Sequence, residues 1–285
     1  MGVVNLTPDS FSDGGRYLEP AQALERALAL EAEGAAIIDL GGESTRPGAA
    51  PVTVAEELHR VLPVLERLRG RTSAVLSIDT SKPEVMRACA AAGADLINDV
   101  YALRAPGAIE AAAESGCAVC VMHMQGEPRT MQHAPHYDDV VGEVRAFLDE
   151  RVRACRAAGI TDERIVLDPG FGFGKTLEHN LTLLRRLDAL RLDGLPILAG
   201  LSRKSMIGTI TGKLSQERVH GSVAAALVAA QNGAQILRVH DVAATVDALK
   251  VLAAVTNGAA HGEAVAGGAP GSSPVGGRKR CAHSF

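Results

Sequence analysis

Asp79, Asn98 and Asp168 each close a short apolar run, and each is followed by polar, turn-forming sequence. Short carboxylate and amide side chains at buried strand ends can accept hydrogen bonds from an N–H-rich heterocycle. A second set, Arg46, Lys204, Arg238 and His240, offers cations and donors suited to phosphate. Together the two sets describe a ligand with an amidine-like edge at one end and phosphate at the other. A single buried aspartate at a strand end is most often a loop or helix cap, so the functional reading rests on three acceptors from separate segments meeting in one place.

Other residues leave more than one chemistry open. Lys204, within Ser202-Arg-Lys-Ser205, could form a Schiff base, although a place just past a strand suits hydrogen bonding and charge pairing. His123 and His240 could bind zinc, but no His-x-x-x-His or Cys-His spacing accompanies them; Asn5 with Asp9 and phosphate oxygens better suits a hard ion such as Mg²⁺. Gly170-Phe-Gly-Phe-Gly174 meets neither dinucleotide nor Walker spacing and reads equally as turn glycines. Cys117 and Cys120 form a Cys-x-x-Cys inside an apolar strand, where residues three apart face opposite ways, so they read as core residues.

Residues so far apart in sequence share a site only if the fold gathers the strand ends. The stretch Ile37 to Gly48 shows how: an apolar strand carrying Asp39, then Gly41-Gly42, then the donors Ser44, Thr45 and Arg46, then the turn Pro47-Gly48. The same order recurs along the chain, with polar strand ends at Asn5, Asp39, Asp79, Asn98, His123, Asp168, Ser202 and His240, spaced by about 34 residues. Helices are expected between them, among them Pro20 to Glu33, one opening on a Thr53-x-x-Glu56 capping box, one opening on Ser81-x-x-Glu84, and two over 218–232 and 242–255. Eight alternating units with short loops predict an α/β fold, a (β/α)8 TIM barrel in which the C-terminal strand ends form one mouth. An open doubly wound sheet is the alternative. One domain is expected over residues 1–256, with a very short first strand at Gly2–Asn5 and a Gly-, Ala- and Ser-rich disordered tail over 257–285.

Composition narrows the partners. A net charge of −4 and a pI near 6.1 lack the basic excess that nucleic-acid tracking needs. No apolar run approaches the roughly 18 residues of a membrane span, and no leader pattern opens the chain. Five cysteines, an odd number, do not make a secreted disulfide framework, so a cytoplasmic protein is expected.

Asn5-Leu-Thr-Pro-Asp-Ser-Phe-Ser-Asp-Gly-Gly15 and Gly41-Gly-Glu-Ser-Thr-Arg-Pro-Gly48 resemble the two signature loops of the dihydropteroate synthase family, folate-pathway enzymes that are sulfonamide targets. Ser77-Ile-Asp-Thr-Ser-Lys82, Asn98-Asp-Val100, Met122-His-Met-Gln-Gly126, Asp168-Pro-Gly-Phe-Gly-Phe173, Leu201-Ser-Arg-Lys-Ser205 and Arg238-Val-His240 resemble its other motifs, in family order. The resemblance implies condensation of 6-hydroxymethyl-7,8-dihydropterin diphosphate with p-aminobenzoate, releasing pyrophosphate, by a homodimer using Mg²⁺. It implies a pterin site of Asp79, Asn98, Asp168 and Lys204 with Arg238 stacked above, and with Met122 and Gly200 lining the substrate. Pyrophosphate would meet Asn5, Thr45, Arg46, Arg238 and His240, with Asn5 on the metal. The p-aminobenzoate pocket would use Thr45, Arg46, Pro47, Phe173, Lys204 and Ser205. Asp79, Lys204, Arg238 and His240 would carry the catalysis.

Two departures stand out. Family members usually carry a segment before the position of Met1, so either the true start lies upstream or the lower end of the barrel is partly open, and the chain could be a pterin-binding protein without turnover or an unstable fragment. Glu127 replaces the small or hydroxyl residue expected before Pro128. Within enzymes, the related pterin domain of methyltetrahydrofolate:corrinoid methyltransferases is the alternative, but it has no need of Thr45-Arg-Pro47 or Ser202-Arg-Lys-Ser205. An aldolase-like barrel is more distant.

Overall fold

The computed structural model describes residues 1–7, 20–44, 49–126, 131 and 134–256. The expected tail, Asp9, Thr45, Arg46, Pro47 and Glu127 lie outside the described residues. Eight parallel strands alternate with helices: β1 (Gly2–Asn5), α1 (Pro20–Ala32), β2 (Ile37–Gly41), α2 (Val54–Leu68), β3 (Val75–Asp79), α3 (Pro83–Ala91), β4 (Leu96–Asp99), α4 (Ala108–Ser115), β5 (Ala118–Met122), α5 (Val140–Ala157), β6 (Ile165–Asp168), α6 (Leu177–Arg185), β7 (Leu198–Ala199), α7 (Ser205–Thr211), α8 (Val219–Gln231), β8 (Ile236–Leu237) and α9 (Val242–Thr256). β1 to β6 pair in sequence order and β7 pairs with β8. Bridges Leu167–Ile197 and Gly2–Val239 join the two groups at both seams, so the sheet closes on itself. The open-sheet alternative is therefore set aside in favour of the barrel.

Strand alternation explains why the barrel interior changes character along its axis. Its lower layer is apolar: Ile37, Leu96, Ala118, Cys120, Val166, Leu198 and Ile236 form one buried cluster. Two residues further along the chain stand Asp39, Asn98, Met122 and Asp168, on the same face of their strands, and Gly200 and Arg238, just past the ends of β7 and β8. The outward-facing residues, such as Ile38, Ile97, Val119 and Leu167, join the main core beneath the helices. Cys117 belongs to that outer core and Cys120 to the inner one, as expected from their spacing, and both are unpaired buried thiols.

Three local expectations are corrected. Ser81 does not cap α3: Lys82 holds the N-cap position, with Pro83 in the first turn, and the Ser81 hydroxyl donates to Asp99 instead. The first capping box is half formed, with Thr53 accepting from Glu56 N at 3.2 Å while the Glu56 carboxylate pairs with Arg60. β7 and β8 have two residues each where the apolar runs predict strands over 196–200 and 235–239, and Pro196 brings no N–H donor to the ladder. α7 was not anticipated, because Ser-Met-Ile-Gly-Thr-Ile-Thr is rich in poor helix formers. At the N-terminal end of the barrel a mostly apolar pocket of about 240 Å³ is walled by Met1, Ala35, Ile236, Leu237 and Leu249.

Candidate active site

The floor of the barrel mouth is a ring of charge around Asp39. This side chain is fully buried. Its Oδ1 accepts from Ser77 Oγ at 2.5 Å, and its Oδ2 accepts from Asn98 Nδ2 at 3.3 Å and from Arg238 Nε at 2.7 Å. Arg238 Nη2 also reaches Asp39 Oδ2 at 2.6 Å and Asp79 Oδ2 at 2.9 Å. The pairing registers Asp39–Ser77 and Asp79–Asn98 place these groups side by side on neighbouring strands. Gly41 stands between Asn5 and Asp79, and a Cβ there would lie 3.9 Å from Asn5 Oδ1 and from Asp79 Oδ2.

Across the mouth, Asp168 Oδ1 accepts from Gly170 N at 2.7 Å. Lys204 donates to Phe171 O, and its Nζ lies 4.6 Å from the centre of the Phe173 ring. Gly172 and Gly200 leave room for this lysine, and at Gly200 a Cβ would be 3.9 Å from both Lys204 Nζ and Arg238 Cβ. A Schiff-base nucleophile needs a free amine near its target, whereas Lys204 is committed to a carbonyl and a ring face; the hydrogen-bonding role fits better. Ser205 follows as the first residue of α7. Met122, with Met124, Met131 and Val100, forms an apolar wall against which Phe173 packs.

His240 is held by Ser202, whose Oγ lies 3.0 Å from Nδ1 and accepts the His240 backbone N–H at 3.2 Å. The adjacent residues repeat the staple, Arg203 gripping Asp241 through Nε at 3.0 Å and through Nη2. Arg203 adopts a left-handed φ of 58°, costly for a residue with a Cβ. Ser222 Oγ accepts its N–H at 2.9 Å and Arg218 donates to its carbonyl at 2.9 Å, which holds the turn that presents Lys204.

His123 belongs to a buried hydrogen-bond network beneath the mouth. Its Nδ1 lies 2.9 Å from Lys175 Nζ, which also donates to Gly170 O at 2.9 Å and Phe173 O at 3.0 Å. Burial pushes the imidazole down to about 2, with Lys175 adding to the effect, so it stays neutral. Among the described residues no cluster of three or more histidine, cysteine, aspartate or glutamate side chains could hold a metal. Asp99, also at a strand end, is a turn cap, accepting from Tyr101 N and Leu103 N at 2.8 Å each.

The charges on the floor are costly to bury, and this sets their titration. Burial raises Asp79 to about 7 against the pull of Arg238, with Asp39 pushing it further up. Burial lowers Lys204 to about 8, with Asp168 holding it up and Arg238 pressing it down. A heterocycle edge is best accepted by ionised Asp79, and Lys204 donates most strongly as a cation. Affinity for an N–H-rich heterocycle is therefore expected to rise with pH through about 7, as Asp79 loses its proton, and to fall above about 8, as Lys204 loses its own. Calorimetric titration on either side of that window checks this, and a flat profile would contradict it.

Thus Asn5, Asp79, Asn98, Met122, Asp168, Phe173, Gly200, Lys204, Ser205, Arg238 and His240 lie on the strand ends and following loops at one mouth, while Thr45, Arg46 and Pro47 lie outside the described residues. Sequence reasoning gave no site role to Asp39, Ser77, Ser202 or Lys175. Asp39 and Ser77 did carry a signal, being polar residues inside buried strands.

A barrel whose mouth presents buried acceptors beside an arginine and a lysine matches the family of pterin binding enzymes over residues 1–240. The chain belongs to that family. It is 54% identical to the dihydropteroate synthase of Escherichia coli (strain K12) over 254 residues, covering 89% of this chain and 90% of that one. A sulfonamide complex of Yersinia pestis dihydropteroate synthase superposes with a TM-score of 0.87 at 52% identity, covering 90% of this chain and 93% of the other. The Xanthomonas albilineans dihydropteroate synthase in complex with 7,8-dihydropteroate gives 0.81 at 55%, covering 89% and 92%.

Proposed function

We propose that the chain is a transferase with dihydropteroate synthase activity: it condenses 6-hydroxymethyl-7,8-dihydropterin diphosphate with p-aminobenzoate to give 7,8-dihydropteroate and pyrophosphate. The observation that carries this is the meeting of Asp79, Asn98 and Asp168 with Arg238 and Lys204 at one barrel mouth. Identity to the synthases over nine-tenths of the chain favours this reading over the corrinoid methyltransferases.

In this reading Asp79, Asn98 and Asp168 accept the N–H edge of the pterin, and Lys204 donates to its ring. The C–O bond to the diphosphate breaks, leaving a cation that the electron-rich dihydropterin spreads over its ring and that Asp79 and Asp168 favour. Arg238 and His240 take up the charge growing on the departing pyrophosphate. The arylamine nitrogen then bonds to the exposed carbon and loses a proton. Phe173, Lys204 and Ser205 hold the p-aminobenzoate, together with Thr45, Arg46 and Pro47. Asn5, at the rim beside Gly41, offers one amide oxygen. A single neutral oxygen suits Mg²⁺ only as the partner of phosphate oxygens and water, so the ion would enter with the diphosphate and neutralise it.

A homodimer belongs to the same reading. α8 and α9 are apolar around much of their circumference, yet Val228 is 40%, Val251 65% and Val255 76% exposed. Such faces favour burial against a second copy. Replacing Val251 and Val255 with glutamate is expected to shift the protein from dimer to monomer in sedimentation; unchanged mass would remove this interface. A cytoplasmic location is supported by four described cysteines that are all unpaired thiols, and among the described residues no helix is long and apolar enough to cross a membrane.

The deciding experiment is pyrophosphate release from the dihydropterin diphosphate with Mg²⁺. Release that requires p-aminobenzoate and is blocked by a sulfonamide is expected. Pterin binding without release would mark a binding protein instead.

A further inference from the structure

We propose that Asp39 is a positioning residue for departure of the leaving group: it anchors the Arg238 guanidinium so that this side chain can surrender Asp79 to the pterin and turn to the diphosphate. The inference rests on the pterin reading above. Asp39 itself touches no substrate, because it is fully buried and its oxygens are taken up by Ser77, Asn98 and Arg238.

The conflict it resolves is visible at Asp79. Arg238 Nη2 bonds to Asp79 Oδ2 at 2.9 Å, the carboxylate that a heterocycle edge must use. Pterin binding therefore competes with an internal ion pair. If Asp79 were the sole counter-charge, its capture would leave a buried guanidinium without an ionic partner, which is costly. Asp39 prevents this. It holds Arg238 on its Nε side at 2.7 Å and shares Nη2 at 2.6 Å, so the outer edge of the fork can turn to phosphate with its charge still compensated. Guanidinium suits the task because its donors diverge in one plane, where a lysine would offer a single point. Asp39 also fixes Asn98, so the pterin acceptor and the phosphate donor share one buried anchor.

Asp39→Asn tests this, since the amide keeps the shape and one acceptor but removes the charge. Calorimetry compares 6-hydroxymethyl-7,8-dihydropterin with its diphosphate on the full chain, wild type and variant. The expected result is one-sided: affinity for the diphosphate falls at least about tenfold, while affinity for the alcohol changes less than about threefold. Asp39→Ser, measured beside it, also removes the acceptor for Asn98, so some loss for the alcohol is expected there, with the loss for the diphosphate still clearly the larger. Equal losses for both ligands would make Asp39 a structural support of Asn98 and overturn the proposal. So would unchanged affinities, or failure of both neutral variants to fold, because the proposal places the charge in ligand handling rather than in the fold. Wild-type protein that binds neither ligand would overturn the pterin reading and this inference with it.

Discussion

Arg238→Ala lowers turnover at least about a hundredfold, and so does Asp79→Ala; these are the expected results for groups that stabilise the charge developing as the C–O bond breaks. Arg238 reaches both Asp39 and Asp79, and burial works against its charge while the two carboxylates hold its proton more tightly than usual. It is therefore a fixed cation at the point where the pyrophosphate gathers charge. Removing it leaves Asp39 and Asp79 as neighbouring buried carboxylates, so Asp79 should protonate more readily and become a poorer acceptor. Because each residue depends on the other, the double variant is expected to lose much less than the product of the single losses. Pyrophosphate release at saturating substrates measures this. Near-normal turnover in both single variants would remove the assignment of this mouth as the reaction centre.

The barrel and most of this mouth were legible because their signals are local in sequence. Asp79, Asn98 and Asp168 each end an apolar run, and parallel closure then makes them neighbours whatever the helices between them do. What escaped reading were dependencies between strands. Asp39 looked like a strand-end carboxylate of no assigned role, since only the register that sets it beside Ser77, and the seam that brings β8 round to β1, show that it holds Arg238. Ser202 was read as a motif residue rather than as the support of His240, for the same reason: the two are 38 positions apart and meet only through the pairing of β7 with β8. Ser81 misled in the other direction. Its spacing to Glu84 satisfied a capping rule, but Asp99 from the next strand claims the hydroxyl. α7 left no trace because its residues are individually indifferent to helix, and the turn at Arg203 that launches it is held by Arg218, Ser222 and Asp241.

Gly170→Ala should destabilise the fold by about 3 kcal/mol or more, far beyond the ordinary cost of losing a glycine. Gly170 has a φ of +67°, and a Cβ there would lie 1.9 Å from the backbone oxygen of His123. That oxygen cannot retreat easily, because His123 N donates to Asp168 O at 2.9 Å, continuing the β5–β6 ladder into the loops. Lys175 tightens the same junction from below with bonds to His123 Nδ1, Gly170 O and Phe173 O. A longer contact to His123 O at 3.4 Å completes the set, and burial pulls the lysine's pKa well below the usual range. Gly116→Ala is the control, since Gly116 has a similar φ of +72° but nothing within 4 Å of the added carbon. That variant is expected to lose only about 1 kcal/mol, the conformational part. The difference between the two in denaturant unfolding measures the steric interlock alone. The Gly170 variant should also bind pterin more weakly where it is still folded, because Asp168 accepts from Gly170 N and Phe173 N donates to Gly170 O. Equal stability losses in the two variants would mean that the loops after β5 and β6 move independently, and that Phe173 and Lys204 are placed by something other than this junction.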